Sequence, residues 1–460
     1  MISNIISQEE IDLFVQSIRK YDIEDIGSKS WCEFHEILIK LSQQAIIEAS
    51  EHREEIVKEL LIIHDKLPDL IHGVYTIVVW RAKVLPKLLE NSDLPASFFI
   101  YTILYHELII ISLLETVLYH ENSCESLGEL VLDLIDYCVN GITQLIGLIH
   151  SGVQNLIEKN IELSTIDELK IHQNEIIFNL AMKDITILSY LSDKISTLSV
   201  SASRRLTQTH DVPCLLAELL TLRPWLRKTK NFEKFIDGKW KIVEGDEILK
   251  VSKVEVQTWF CLRNILFHRE TFQQYEINAF RQRELGKCSA LLNDVILDQL
   301  PPLIELKQFL CTLQVSQDIA NGLNNLILEV IPEIKDKIIE KAKRTGWKNI
   351  IEKHKKLFVD MKENEVVEIA KRLSDAYNFE FMADFEEQQQ VKNKNQTENE
   401  TIRCCSTCSK PAEKKCSRCE VAFYCCRECQ VKDWILYDVD ANTKTGYLVP
   451  EDNCGIEIDI

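Results

Sequence analysis

The segment ESLGELVLDLIDYCVNGITQLI, residues 125–146, decides the fold class because its apolar residues recur at helical intervals. Spacings of three, four, seven, eight and eleven positions place one set of side chains on a single stripe of an α-helix: Leu127, Leu130, Val131, Leu134, Ile135 and Cys138. Acidic residues fall on the opposite side, and Ser123 and Ser126 precede the run as candidate N-caps. We therefore predict an amphipathic helix that packs inside a helical body.

The same periodicity recurs along most of the chain, over residues 37–50, 54–67, 70–90, 214–222, 288–300 and 324–343. Only 13 glycines and 10 prolines occur in 460 residues, which favours long helices over short strands and tight turns. We predict an all-α, solenoid-like body of the armadillo or HEAT type over residues 1–384, with an irregular all-α globule as the alternative. Within it, residues 235–260 alternate apolar and polar around Gly238 and Gly245, which indicates a short hairpin.

Charge and hydropathy exclude several classes of protein. The net charge of −19 repels nucleic acid and anionic lipid, so we expect no nucleic-acid partner. The N-terminus has neither a basic region nor a long apolar run, so we expect no signal peptide. Residues 98–118 are the most apolar stretch, but His106, Glu107 and Glu115 are costly in lipid, which favours a buried core helix over a transmembrane segment. Because no H-E-x-x-H, G-x-S-x-G or nucleotide-binding motif occurs, we predict no enzymatic activity and no catalytic residues.

Nine of the 16 cysteines lie in the last 57 residues, after a polar segment, 385–402, that we predict to be a flexible linker. The other seven are scattered without close pairs and are predicted to be buried thiols. The clustered cysteines form three close pairs: Cys405 and Cys408, Cys416 and Cys419, and Cys425 and Cys429. Thiolate pairs at this spacing are typical of structural zinc sites. In such sites four protein ligands surround the metal as a tetrahedron and leave no open position. Because the module has almost no apolar core, bound Zn²⁺ must supply much of its folding free energy.

The pattern CSTC-x7-CSRC-x4-YCCREC, followed by QVKDW, resembles a MYND-type zinc finger, which we place at residues 403–441. Segments of the body extend the resemblance to the MYND-type axonemal dynein preassembly factors: ISLLETVLYH-x3-CES, VLDLIDYC, THDVPCLLAELL and LDQLPPL. In that family the first and third cysteine pairs hold one zinc ion, and the second and fourth pairs hold another. The resemblance therefore implies a first site of Cys405, Cys408, Cys425 and Cys429. Cys416 and Cys419 would begin the second, with Cys404 and Cys426 as spare thiols that are alternative ligands.

The sequence departs from this family where the second zinc site should close. The resemblance places a histidine and a cysteine where this chain has Tyr437 and Ala441. Two thiolates alone do not close a tetrahedron, so we expect one well-formed zinc site and a weak or absent second one. Residues 442–460 also differ from the family's ending, and we interpret them as the tail of a divergent splice form or of a gene model whose true final exon is missing.

In the wider MYND family, such fingers dock short proline-containing segments of partner proteins. By resemblance, Gln430 and Trp434 occupy the C-Q-x3-W positions that flank the peptide groove, so we expect both to contact a partner. Packing of the finger's small core is the alternative role for Trp434.

The resemblance implies a non-catalytic adaptor or co-chaperone for the cytoplasmic preassembly of outer and inner axonemal dynein arms, which motile cilia require. The implied partners are a leucine-rich-repeat assembly factor, an immunophilin-type co-chaperone, heat-shock chaperones and the dynein chains. The implied location is the cytoplasm, including centriolar satellites, dynein axonemal particles and the apical region of the cell. A MYND-type transcriptional corepressor adaptor is the alternative, which the acidic charge disfavours. A MYND-containing lysine methyltransferase would need a β-rich catalytic domain where this sequence predicts helices.

Two further motifs have a structural and a functional interpretation. His106 and Glu107, together with His120, suggest a metal or acid–base site, but hydrogen-bonded residues of the core are the favoured interpretation. The basic amphipathic segment 337–356 is either a partner-docking face or, more commonly, a solvated helix face.

The segment THDVPC, residues 209–214, places a histidine four residues before a cysteine. Without a second ligand pair, a helix N-terminus is the favoured interpretation. Thr209 or Asp211 would then cap the helix, and Pro213 would start it.

Overall fold

A computed structural model describes five long stretches of the chain and a few residues between Cys408 and Cys429; the long stretches are residues 6–90, 97–152, 165–228, 231–315 and 331–358. The chain divides into two compact units, Met1–Tyr377 and Asn378–Ile460. The predicted linker 385–402 and the predicted tail 442–460 lie outside the described residues.

The first unit is built almost entirely from helices, which confirms the all-α prediction. Its helices are α1 (Gln8–Ser17), α2 (Lys29–Ser50), α3 (Ile56–Ile63), α4 (Leu67–Lys83), α5 (Leu85–Leu88), α6 (Ser97–Val117), α7 (Glu121–Ser126), α8 (Leu130–His150), α9 (Thr165–Asp193), α10 (Val200–Arg204), α11 (Val212–Leu222), α12 (Lys253–Phe267), α13 (Arg269–Gln274), α14 (Ala279–Leu291), α15 (Asp294–Gln299), α16 (Ile304–Val315), α17 (Ile334–Thr345) and α18 (Trp347–Phe358). Shorter helical turns span Ile23–Asp25, Arg205–Thr209, Gly245–Ile248 and Pro301–Leu303.

A small antiparallel sheet interrupts the helices, in the order β1 (Leu226–Lys228), β2 (Phe232–Ile236) and β3 (Lys239–Val243). The turn between β2 and β3 is Asp237-Gly238, and both residues have positive φ, at 52° and 79°. An Asp-Gly pair in this conformation matches the twist of the two strands. The hairpin predicted within residues 235–260 is therefore confirmed, although the end of that segment belongs to α12.

The helices of the first unit pack against their neighbours in a stack. Helix α6 lies against α2, α4 and α9, and α9 in turn lies against α8 and α12. Helix α11 then packs on α12 and α14, and α14 packs on α16. This succession of neighbouring contacts is compatible with the solenoid-like prediction.

Two helices of this stack are long and apolar enough to cross a membrane by length and composition, Phe98–Val117 and Leu130–His150. In the most apolar stretch of the first helix 72% of the residues are buried inside the protein, and in that of the second helix 56% are buried. Core helices of that kind pass the same test of length and hydropathy, and the burial of α6 agrees with the core position predicted for residues 98–118.

The last two described helices of the first unit pack against elements near its N-terminus. Helix α17 packs against α4, and α18 packs against α5 and the turn at Ile23–Asp25. The ring of Phe358 lies 5.2 Å from that of Phe99 and 6.3 Å from that of Trp80. Because these contacts join residues far apart in sequence, the unit is closed by a packing that a strictly neighbour-to-neighbour solenoid does not have.

The end of α18 packs so closely against Gly27 that this position has no space for a side chain. Its φ is +82°, and a Cβ there would lie 2.7 Å from Cζ of Phe358 and 2.8 Å from Cδ2 of Leu357. We expect Gly27→Ala to lower the free energy of unfolding by about 2–5 kcal/mol, the sum of backbone strain and overpacking. Urea denaturation followed by circular dichroism measures this change.

Gly128→Ala is the matched control, since Gly128 also has a positive φ, +52°, but a Cβ would meet no atom within 4 Å. The Gly128→Ala variant should lose only the free energy of unfolding that comes from backbone strain, about 1–2 kcal/mol. Equal losses in the two variants would contradict the packing of α18 against Gly27.

Two expectations about helix boundaries are wrong. Ser123 and Ser126 lie inside α7 and do not cap α8, because Gly128 turns the chain between the two helices. Residues 288–300 form parts of two helices, because the side chain of Asn293 accepts a hydrogen bond from the Ile296 amide at 3.0 Å and so starts α15.

The acidic side of α8 is also covered by protein. The backbone amide of Ile334 donates to Oδ1 of Asp133 at 3.3 Å, and only 6% of Asp133 is exposed. The start of α17 therefore lies where the amphipathic pattern alone would place water.

The scattered cysteines mostly follow the prediction. Five of the seven are buried, Cys214 is half-buried, and Cys311 is exposed, which contradicts the expectation for that residue. Among the residues that the structure describes, no disulfide joins them. Burial raises the pKa of the Cys261 thiol to about 12, so this side chain is an inert apolar group.

Candidate metal centre

A two-stranded hairpin organises the described part of the second unit. Strand β4 (Lys414–Lys415) pairs antiparallel with β5 (Phe423–Tyr424), so that Lys414 faces Tyr424. In an antiparallel pair, the chain that enters the first strand lies at the same end as the chain that leaves the second. The hairpin therefore brings Cys408, which precedes β4, close to Cys425, which follows β5 directly.

Three thiols converge at this end of the hairpin. The Sγ atoms of Cys408 and Cys425 are 3.4 Å apart, those of Cys425 and Cys429 are 3.5 Å apart, and those of Cys429 and Cys408 are 3.7 Å apart. Four thiolates bound to zinc at a Zn–S distance of about 2.3 Å form a tetrahedron with edges of about 3.8 Å. The three sulfur atoms thus lie near three corners of a zinc tetrahedron, and the donor set fits Zn²⁺.

The structure also bears on which of the adjacent residues Cys425 and Cys426 belongs to the first site. The Sγ atom of Cys426 is 3.9 Å from that of Cys425, but Cys426 does not belong to the group of three whose sulfur atoms all lie within 4.8 Å of one another. Cys425 is therefore the residue of the adjacent pair that the geometry favours as a ligand.

The other predicted site residues lie outside the described residues. They are the fourth ligand of the first site, the two thiols that begin the second site, the two expected partner contacts, and the two positions where the family pattern is broken: Cys405, Cys416, Cys419, Gln430, Trp434, Tyr437 and Ala441. The second zinc site and the partner contacts therefore remain predictions.

The convergence of thiols beside a short hairpin defines the class of the second unit. Residues 405–437 match the family model of the MYND finger, so this unit contains a MYND zinc finger. The match begins at the predicted ligand Cys405 and ends at Tyr437.

Similarity to a curated protein extends over nearly the whole chain. The chain is 40% identical over 442 residues to the zinc finger MYND domain-containing protein 10 homolog of Drosophila melanogaster, and this covers 94% of the chain and 97% of the relative. The chain therefore belongs to the zinc finger MYND domain-containing protein 10 family. No solved structure matches it.

The histidines singled out in the helical body have hydrogen-bonded partners in the structure. Nδ1 of His106 lies 2.7 Å from Nδ1 of His35, and both residues are buried. His120 pairs at the surface with Glu55, at 2.7 Å. The structural interpretation of His106 is thereby confirmed, since its ring shares a hydrogen bond inside the core.

Sequence reasoning missed the ion pair around the buried carboxylate of Glu107. Nη1 of Arg81 donates to Oε2 of Glu107 at 2.9 Å, and the Tyr137 hydroxyl donates to Oε1 at 2.8 Å. Burial raises the pKa of Glu107, while the Arg81 charge and the Tyr137 hydrogen bond act to lower it. One signal was present in the sequence, since Arg81 follows an apolar run in α4 and a buried arginine needs an acidic partner.

The THDVPC segment has a structural role that differs from the expected cap. Asp211 stands at the N-cap position of α11 with φ at +47°, and its side chain does not cap the helix. Its carboxylate instead accepts hydrogen bonds from the Tyr275 hydroxyl at 2.6 Å and from Nε of Arg281 at 2.8 Å. Nε2 of His210 lies 2.5 Å from Oδ1 of Asp136. These side chains hold the loop against α8 and α14. The helix begins at Val212, so Pro213 is its second residue and lies one position inside the predicted start.

Proposed function

We propose that this protein is a non-catalytic adaptor, or co-chaperone, for the cytoplasmic preassembly of axonemal dynein arms. The observation that carries the proposal is the convergence of Cys408, Cys425 and Cys429 at tetrahedral spacing, in a chain of the MYND domain-containing protein 10 family. A zinc ion closed by four protein thiolates has no open position for water, so it folds the finger and activates no substrate. The resemblance of several body segments to dynein preassembly factors supports the rest of the proposal.

In this proposal the two units bind different proteins. The finger docks a leucine-rich-repeat assembly factor, with Gln430 and Trp434 as contacts, and zinc is needed because it shapes the docking surface. The helical body binds dynein chains together with immunophilin-type and heat-shock chaperones. The complex works in the cytoplasm, at centriolar satellites and dynein axonemal particles, before the arms enter the motile cilium.

Affinity capture from ciliated cells tests this division of roles with three full-length proteins: the unaltered chain, Cys425→Ser and Cys426→Ser. We expect the unaltered chain and Cys426→Ser to capture both the assembly factor and dynein chains. Cys425→Ser should lose the assembly factor and keep dynein, because only the zinc-dependent surface is removed. Mass spectrometry of the captured proteins measures the outcome.

Two results would contradict the proposal. Retention of the assembly factor by Cys425→Ser would show that the finger does not dock it. Capture of nuclear corepressor subunits in place of dynein chains would favour the corepressor alternative.

A further inference from the structure

Helices α17 and α18 reverse the charge of the protein locally. Residues 334–358 contain nine Lys or Arg and three Asp or Glu, a net charge of +6, whereas the whole chain carries −19. The rest of the chain therefore carries −25. Either a structural or a functional role could explain why positive charge is concentrated in this segment. The positions of the side chains decide between the two roles.

The apolar sides of the two helices are packed against the body. Ile338 and Ala342 of α17 are buried, and so are Ile350, His354 and Phe358 of α18. Within each helix these residues recur every four positions, and the exposed lysines and Arg344 lie on the sides that face outward. The outward face is thus fixed by packing and is already formed before any partner arrives.

Ion pairs with the body neutralise part of this face. Nζ of Lys341 lies 2.6 Å from Oδ2 of Asp22, and Nζ of Lys353 lies 3.9 Å from Oδ1 of Asp25. Both lysines stand beside the turn at Ile23–Asp25, where α17 and α18 meet the start of the chain. Lys337 and Lys356 pair within the same segment, with Glu333 at 2.6 Å and with Glu352 at 3.6 Å. The remaining exposed cations that stand close together in sequence lie at the turn between the two helices.

Three exposed residues at this turn, which we call the basic corner, are Lys343 and Arg344 before Gly346 and Lys348 after it. Arg344 reaches Glu340 at 3.8 Å, and 83% of the arginine side chain is exposed, so this pair contributes little. Within the described residues, no carboxylate lies within 4 Å of Lys343 or Lys348. Lys348 also stands in the first turn of α18, where the helix dipole disfavours a cation.

We propose that the basic corner binds an acidic peptide segment of a partner protein. Negative charge placed there would relieve the repulsion among the three cations and would complement the exposed end of the α17–α18 pair. The corner spans six residues, which suits a short peptide that carries a few carboxylates.

The surroundings of the corner argue against a longer polyanion. RNA or an anionic membrane would extend past the corner and past both basic helices, by more than the screening length of about 8 Å at physiological salt. It would then meet the acidic remainder of the protein and be repelled. The proposal concerns the helical body alone, so it goes beyond the function proposed for the finger and does not depend on it.

Fluorescence anisotropy with the full-length protein tests the proposal, with a labelled octaglutamate peptide as the probe and octaglutamine as its neutral counterpart. We expect octaglutamate to bind, octaglutamine not to bind, and the affinity for octaglutamate to fall about tenfold or more between about 50 and 200 mM salt. The triple variant Lys343→Glu, Arg344→Glu, Lys348→Glu should weaken octaglutamate binding about tenfold or more.

A second triple variant, Lys241→Glu, Lys250→Glu, Lys253→Glu, is the matched control. It changes the net charge by the same amount at three exposed lysines: Lys241 on the small sheet, Lys250 between the sheet and α12, and Lys253 at the start of α12. Its affinity for octaglutamate should stay within about twofold of the unaltered protein, because the corner is intact. If the first variant does not fold by circular dichroism, the glutamine variant Lys343→Gln, Arg344→Gln, Lys348→Gln replaces it with the same threshold.

Three results would overturn the proposal. They are no binding of octaglutamate, an equal loss of affinity in both triple variants, and binding of decauridine RNA or phosphatidylserine vesicles as tight as that of octaglutamate. Removal of zinc with a chelator should leave octaglutamate binding unchanged, which separates a failure of this proposal from a failure of the proposed finger function.

Discussion

Replacing Cys425 with serine is expected to abolish tight zinc binding at the first site and to unfold the finger, while the helical body stays folded. Serine is not deprotonated at neutral pH, so the tetrahedron loses one of its anionic ligands. Structural zinc contributes about 10–16 kcal/mol in finger peptides, which a module with so small a core cannot replace. Elemental analysis of zinc per chain after dialysis measures the loss, and thermal unfolding followed by circular dichroism reports on the body.

Cys426→Ser is the control, because this thiol is the direct neighbour of Cys425 and lies outside the convergent group of three. The Cys426→Ser protein should keep the zinc content of the unaltered chain. Equal losses of zinc in the two variants would show that the adjacent thiols share the ligand position. Two tightly held zinc ions in the unaltered chain would refute the prediction that the second site is incomplete.

Arg81→Met is expected to lower the free energy of unfolding of the body by about 3–5 kcal/mol, because it leaves a buried carboxylate without its countercharge. The Glu107 side chain is 1% exposed, so water solvates its charge far less well than the guanidinium compensates it. The double variant Arg81→Met, Glu107→Gln should regain most of the loss, since no uncompensated charge then remains. Urea denaturation of the three proteins at pH 8 measures both effects.

The pH dependence gives a second measurement on the same variant. Burial already raises the pKa of Glu107, and loss of Arg81 removes the main effect that lowers it. A carboxyl whose pKa is higher in the folded state than in the unfolded state adds most stability at acid pH, and this contribution is lost as the pH rises through the folded pKa. The deficit of Arg81→Met should therefore be smaller at pH 5 than at pH 8.

Lys183→Met is the matched control for the buried pair, because Lys183 also pairs with an acidic residue of α6, Glu115, at 2.8 Å. Here the two side chains are 29% and 20% exposed, so water can solvate the remaining carboxylate. The expected loss is about 1 kcal/mol or less. A similar loss in Arg81→Met, or a deficit that is independent of pH, would contradict the account of the Glu107 site.

The helices could be predicted because periodicity records which side of each segment is buried. Periodicity does not show which part of the chain covers either side of a helix. Asp133 lies opposite the apolar stripe of α8, and the amide that reaches it comes from Ile334, 201 residues later in the chain. The return of α17 and α18 to α4 therefore required the structure.

The metal centre was easier to predict than the rest of the molecule, because zinc chemistry restricts both the type and the spacing of its ligands. The resemblance already assigns Cys425 as the ligand and Cys426 as the alternative, and the convergence of Cys408, Cys425 and Cys429 favours that assignment. The Arg81–Glu107–Tyr137 contacts could not be predicted, because the three side chains come from three helices whose packing the sequence does not specify.

The late return of α17 and α18 has a consequence for synthesis on the ribosome. About 250 residues separate the end of α4 from the start of α17, and at about 5–20 residues per second this distance takes roughly 12–50 s to translate. Throughout that interval the apolar surfaces of Trp80 and Phe99 that Phe358 later covers stay open on the nascent chain. Exposed apolar surface of this kind makes an incomplete chain prone to aggregation until α17 and α18 have been synthesised.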